Sequence, residues 1–167
     1  MCSLNHFLNA FRPMEMGLEE RITKSAKLRK VRRSQFILRF GEVASDLYFV
    51  QQGSFFSYVR EGDDLRVSGY KAEGEAVIEY GKLVQKLKSE EEIICFQDSI
   101  VSTLSLDDIQ DILSKYSDFE FYLHRGWGTP SIKLDENPKI LTRSYIFNYA
   151  KNSFSALRKY FYLPIRN

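Results

Sequence analysis

Apolar residues recur along this chain at two periods, and the change between them organises it. Leu4, Phe7, Leu8 and Phe11 stand at helical spacing before Pro13, and Met14, Leu18, Ile22 and Ala26 place a second helix over Met14 to Lys27. From Leu28 the period becomes two. LRKVRR, FILRF, LYFVQQ, SFFSYVRE and LRVSGYK are rich in β-branched and aromatic residues and read as strands. Gly41, Ser45-Asp46, Gly53 and the EGDD stretch at Glu61 to Asp64 separate them as turn formers. GKLVQKLKS interrupts with a short helix whose Leu83, Val84 and Leu87 share one side, and EIICFQDSIVSTLSL returns to strand.

A further helix opens after Leu104. Ser105 suits its cap, Asp107 and Asp108 its first turn, and Ile109, Ile112 and Leu113 its buried face. Phe119 to Leu123 continues helically until Gly126, and GWGTPSIKLDENP reads as a loop. Ile146, Ala150, Phe154, Leu157 and Phe161 then form a last helical stripe within an aromatic-rich segment. Many short, closely spaced strands with helices on either side and no βαβ rhythm predict a mainly β protein with flanking helices, an antiparallel roll or barrel. The expected division is a roll with its N-terminal and post-barrel helices over residues 1–125. Residues 126–167 add a loop and an aromatic helix for packing or dimerisation.

Composition changes this picture little. The 167 residues, 44% apolar and 28% charged, suit one globular domain with a small appendage. A net charge of +2 gives no argument for nucleic acid, although the run from Arg21 to Arg33 is basic and Glu90, Glu91 and Glu92 are acidic. Solvated surface is the plainer reading of both. Cys2 and Cys95 form no disulfide framework, no apolar run reaches membrane-span length, and MCSLNHFLNAF is a poor secretory signal. The expected setting is the cytoplasm, without membrane association.

Enzymatic chemistry finds no arrangement to carry it. His6 and His124 lie in separate segments, without the spacing of a metal site. There is no phosphate loop, nucleophile elbow or Cys–His pair, and a helix start explains Asp107-Asp108. No catalytic residue, metal or cofactor is expected.

Gly41-Glu42, Leu47-Tyr48-Phe49-Val50 and Gly53 together resemble the first half of the cyclic-nucleotide-binding-like domain of Crp/Fnr transcription regulators. EGEAVIEYGKLVQKLKSEEEIICFQDSIVSTLSLDDIQDILSKY resembles the segment from that domain's phosphate cassette into its post-barrel helix. The resemblance covers about Met14 to Leu123. It implies a double-stranded β-helix, or jelly roll, with Gly41, Gly53 and Gly74 as structural turn glycines.

The resemblance also implies a site, and the site departs from the family pattern. Cyclic-nucleotide binders carry a Gly-Glu pair before the cassette helix and an Arg-Ser or Arg-Thr pair after it. The Glu accepts the ribose hydroxyl, and the Arg forks onto the phosphate. Here Ile78-Glu79 and Ser89-Glu90 fall at those positions, so the Glu is kept and the Arg is not. Two unit charges about 4 Å apart interact by roughly 4 kcal/mol at an effective dielectric near 20, so exchanging a cation for an anion costs affinity heavily. The candidate ligand residues are Glu79, Lys86, Lys88, Ser89 and Glu90, with an unknown small molecule in place of cyclic AMP or cyclic GMP in the usual pose. The implied function is the sensing half of a regulator. No winged helix-turn-helix is discernible, so site-selective DNA binding by this chain alone is not expected, and homodimerisation through the C-terminal helix is. The alternative is an interaction module on the same fold that senses nothing.

Overall fold

The computed structural model describes residues 2–128, all within the first of the chain's two units, Met1–Lys133. The expected loop beyond residue 128 and the aromatic helix after it lie outside the described residues. The dimerisation role expected of that helix lies there too.

Two helices lead the fold. The Ser3 hydroxyl accepts the His6 N–H and caps α1 (Leu4–Asn9), which buries Leu4 and Leu8. α2 (Met16–Ser25) is shorter than the stripe predicted and buries Leu18 and Ile22. Six strands follow: β1 (Lys27–Val31), β2 (Phe36–Leu38), β3 (Asp46–Glu61), β4 (Asp64–Ala72), β5 (Ala76–Val77) and, after the short helix α3 (Tyr80–Val84), β6 (Glu91–Ser105). Helices α4 (Leu106–Lys115) and α5 (Phe119–Trp127) close the described chain. The strands run in the order β1-β6-β3-β4, with β2 also on β6 and β5 also on β3, and every pairing is antiparallel.

LYFVQQ and SFFSYVRE are not two strands parted at a turn. They are halves of β3, and Gly53 is the bend between them. Its φ is +102°, and the register against β6 slips on both sides of it. A Cβ at Gly53 would lie 2.0 Å from the Ser99 Oγ and 2.8 Å from the Ser99 Cα, so the close approach of β6 requires glycine as much as the torsion does. Before the bend, Tyr48 and Phe49 pair with β5; after it, Ser54 to Glu61 pair with β4. Gly41 and Gly74 lie in turns, with φ of +77° and +85°.

Two cores result. One gathers Leu8, Ile22, Leu47, Phe49, Leu83, Leu104, Ile109, Ile112, Phe119 and Trp127 where the helices meet the sheet. The other lies inside the roll and includes Leu38, Tyr48, Val50, Phe55, Val77, Ile93, Cys95 and Val101. Ser105 caps α4 as predicted, accepting the Asp108 N–H at 3.1 Å. Arg21 pairs with Asp111 to join α2 to α4, and this bond holds the Asp111 carboxyl below its usual value. Gly126 does not end α5, contrary to expectation: the helix runs through it to Trp127. A Cβ there would meet the Phe7 ring at 3.1 Å, so the missing side chain lets α1 close on α5, and packing overrides local propensity.

Candidate functional site

The chain leaves β5 and enters α3 through Ile78 and Glu79. Ile78 has φ +70°, a region that β-branched residues rarely enter. This is the position at which the family pattern carries glycine. The side chain has changed while the backbone keeps the glycine-like turn, and Ile78 packs against both cores. Glu79 follows at the N-cap of α3 but makes no capping bond; it faces Lys82 at 3.6 Å instead.

α3 is one turn long. Leu83 is buried, whereas Val84 and Leu87 are about half exposed, at 47% and 50%. The expected three-residue apolar face therefore reduces to Leu83: the helix ends at Val84, and Lys86 turns left-handed (φ +52°) before Leu87. The chain is then strapped down. Val43 and Lys88 form an isolated bridge; the Ser89 N–H donates to the Glu42 carbonyl at 2.7 Å, and the Gly41 N–H donates to the Ser89 carbonyl at 2.8 Å. The Ser89 hydroxyl donates to the Glu91 carbonyl at 2.7 Å and accepts the Glu91 N–H at 3.1 Å. Its one proton is thus committed to the strap.

Between this cassette and the sheet lies a cavity of about 270 Å³. Leu38, Val77, Ile78 and Ile93 give it apolar walls. Four of the five expected site residues, Glu79, Lys88, Ser89 and Glu90, line it, and Lys86 does not. Lys71, Lys82 and Glu91 also line it and were missed. Lys82 carried a local signal, three residues after Glu79 at helical spacing; Lys71 carried none. The wall thus holds three ammonium groups (Lys71, Lys82, Lys88) and three carboxylates (Glu79, Glu90, Glu91), so it is of mixed charge and not uniformly repulsive to an anion. A second crevice, about 360 Å³, opens between Arg12 to Glu15 and the α4–α5 joint. There Arg12 is already matched by Asp118 at 3.2 Å. Among the described residues no group of three metal-ligating side chains forms.

The cassette touches α5. Leu83 shares the first core with Phe119, Leu123 and Trp127. The Tyr80 ring meets His124 edge-on, with centroids 5.6 Å apart. Burial, and then the nearby Glu120, pushes the Tyr80 phenol pKa up, so the hydroxyl at this contact is neutral. The Trp127 indole N–H donates to the Tyr48 carbonyl at 2.9 Å, fastening the end of α5 to β3.

No protein-family model matches the chain, and no curated protein does. Solved structures do. The Thermus thermophilus catabolite activator protein superposes with a TM-score of 0.62 at 16% identity, over 71% of this chain and 55% of that one. A cyclic nucleotide-binding domain from Methylobacillus flagellatus gives 0.65 at 10% identity, over 72% and 69%. The fold is that of the cyclic nucleotide-binding domains. The c-di-GMP responsive global regulator CLP of Xanthomonas campestris also shares it, with a TM-score of 0.58 at 24% identity over 68% of this chain and 56% of that one. The predicted jelly roll with flanking helices is therefore the fold found, and the likeness to Crp/Fnr-type regulators is one of structure. This chain spans little more than half the length of the Thermus and Xanthomonas regulators. No helix among the described residues is long and apolar enough to cross a membrane.

Proposed function

We propose that this chain is a regulatory sensing domain of the Crp/Fnr type, cytoplasmic and without catalytic activity, whose cassette cavity takes a small molecule other than cyclic AMP or cyclic GMP in their usual pose. The observation that carries the reading is Ser89, in the strap between α3 and β6. The cassette backbone and its cavity are kept, yet the position that would fork onto a cyclic phosphate holds Ser89, whose proton is committed to Glu91, with Glu90 beside it. Regulators on this fold are named for different signals, catabolite activation in the Thermus protein and c-di-GMP in the Xanthomonas one, so a change of ligand is compatible with the fold.

A ligand in the cavity would act by favouring one position of α3. The contacts of Leu83 and Tyr80 then pass that preference to α5. This needs a ligand that binds the two arrangements with different affinity. Calorimetry with cyclic AMP and cyclic GMP at millimolar ligand is the test. The expected outcome is no specific heat; saturable micromolar binding of either nucleotide would overturn the reading.

A further inference from the structure

We propose that Lys71 sets the charge of the molecule the cavity takes: a small ligand with an apolar body and one anionic head, seated on the sheet side of the cavity and not on the cassette. This rests on the sensing reading above and narrows it to a ligand class. Lys71 stands opposite Phe55 in the β3–β4 register, and opposite residues of an antiparallel pair share a face. Phe55 is 1% exposed inside the roll, so Lys71 lies on the inner face, half-buried on the cavity wall. It makes no ion pair among the described residues. The other two cations differ: Lys82 is matched by Glu79 at 3.6 Å, and Lys88 is exposed on the strap. An ammonium group drawn partly out of water without a counter-ion is unfavourable, and an incoming anion supplies one.

Of the three wall carboxylates, Glu79 is matched by Lys82, and Glu90 and Glu91 stand at the other end. On β3, Phe55, Ser57 and Val59 face Cys95, Ile93 and Glu91 of β6. The row of Lys71 and the row of Glu91 are therefore four residues apart along an extended strand, ~13 Å. A single negative charge on Lys71 is well removed from Glu91 and Glu90, whereas a diester on the cassette is not. Leu38, Val77, Ile78 and Ile93 provide the apolar wall for the rest of the ligand. The volume of about 270 Å³ is below the usual range of roughly 300–1,000 Å³ for ligand pockets, which favours a small molecule. Lysine is a point charge and suits a single carboxylate, without the two-pronged geometry that arginine imposes.

The test is methyl-resolved NMR of the full chain, titrated with phenylacetate and separately with its neutral isostere phenylacetamide. It is run on the wild type, Lys71→Gln and Lys30→Gln, an exposed position on β1 away from the cavity, with circular dichroism to confirm each fold. The expected result is saturable shifts at the Ile78 and Ile93 methyls, with phenylacetate bound roughly tenfold more tightly than the amide. Lys71→Gln abolishes that preference and Lys30→Gln preserves it. Equal binding of the two probes, or a preference that survives Lys71→Gln, would overturn the role of Lys71. If Lys71→Gln does not fold, Lys71→Arg replaces it: a retained preference supports the proposal and a lost one counts against it. Xenon under pressure reads the apolar wall of Leu38, Val77, Ile78 and Ile93 without needing a counter-charge, and so separates the two failures. Shifts with xenon and none with phenylacetate overturn the ligand class alone, and a cavity silent to xenon overturns the sensing reading as well.

Discussion

β3 passes through two regions that share its backbone and little else. Before Gly53 it lies under the helices, where Leu47 and Phe49 are fully buried among Leu8, Ile22, Ile112 and Phe119. After Gly53 it lines a cavity, with Ser57 on the wall and Lys71 on the neighbouring strand facing the same space. Burying one large apolar side chain is worth roughly 1.5–3 kcal/mol. The first region collects that gain in an unbroken run from Leu47 to Val50, whereas the second collects it at Phe55, Phe56 and Tyr58 and interrupts it with Ser54 and Ser57. The difference teaches a division of labour: the helical end holds the fold together, which leaves the cassette end free to carry ions and open space.

The contrast can be broken by substitution. Trp127→Ala should have the largest effect, a loss of about 3–5 kcal/mol from removing a buried aromatic side chain, read from urea unfolding followed by circular dichroism. Lys71→Gln in the same assay should change stability by less than about 0.5 kcal/mol; comparable losses at both positions would erase the distinction between the two ends. Next comes the joint itself. Gly53→Ala combines a strained torsion with a clash against Ser99 and should cost about 3 kcal/mol. Gly41→Ala, with open space around its Cβ position, should cost only the torsional ~1–2 kcal/mol. Equal costs would mean that β6 does not press on the bend.

The smallest effect concerns the cassette turn. Ile78→Gly and Ile78→Ala both lose the side chain's packing, but only glycine relieves the left-handed torsion. The glycine variant should therefore be the more stable of the two by about 1 kcal/mol, the reverse of the usual order in helices and strands. Chemical denaturation resolves the pair, and an alanine variant at least as stable would show that the turn relaxes without glycine.

Local pattern revealed the helices and the strand-rich middle well. Ser105 with Asp107 and Asp108 is a capping signal that operates within one turn of chain, and it formed as read. The continuity of β3 was hidden because a glycine between two apolar runs marks a hairpin turn and a strand bend alike, and only the approach of Ser99 from β6 decides between them. The same limit governed the site. Glu79, Lys88, Ser89 and Glu90 are neighbours in sequence and could be read together. Lys71 could not, because its face is fixed by pairing with Phe55 and by a register shift nearby between Ser57 and Tyr58. Such a bulge inverts the alternation along a strand, so the faces of Leu65 and Val67 do not carry over to Lys71.

The chain contains a single tryptophan, and it is seated where α5 meets the first half of β3, with its indole N–H on the Tyr48 carbonyl. Light emitted by that one indole therefore reports on one joint and no other. If filling the cavity lifts α5 even slightly, the ring gains water and its emission moves to the red. An unlabelled protein in a fluorimeter would then display input and output in the same cuvette.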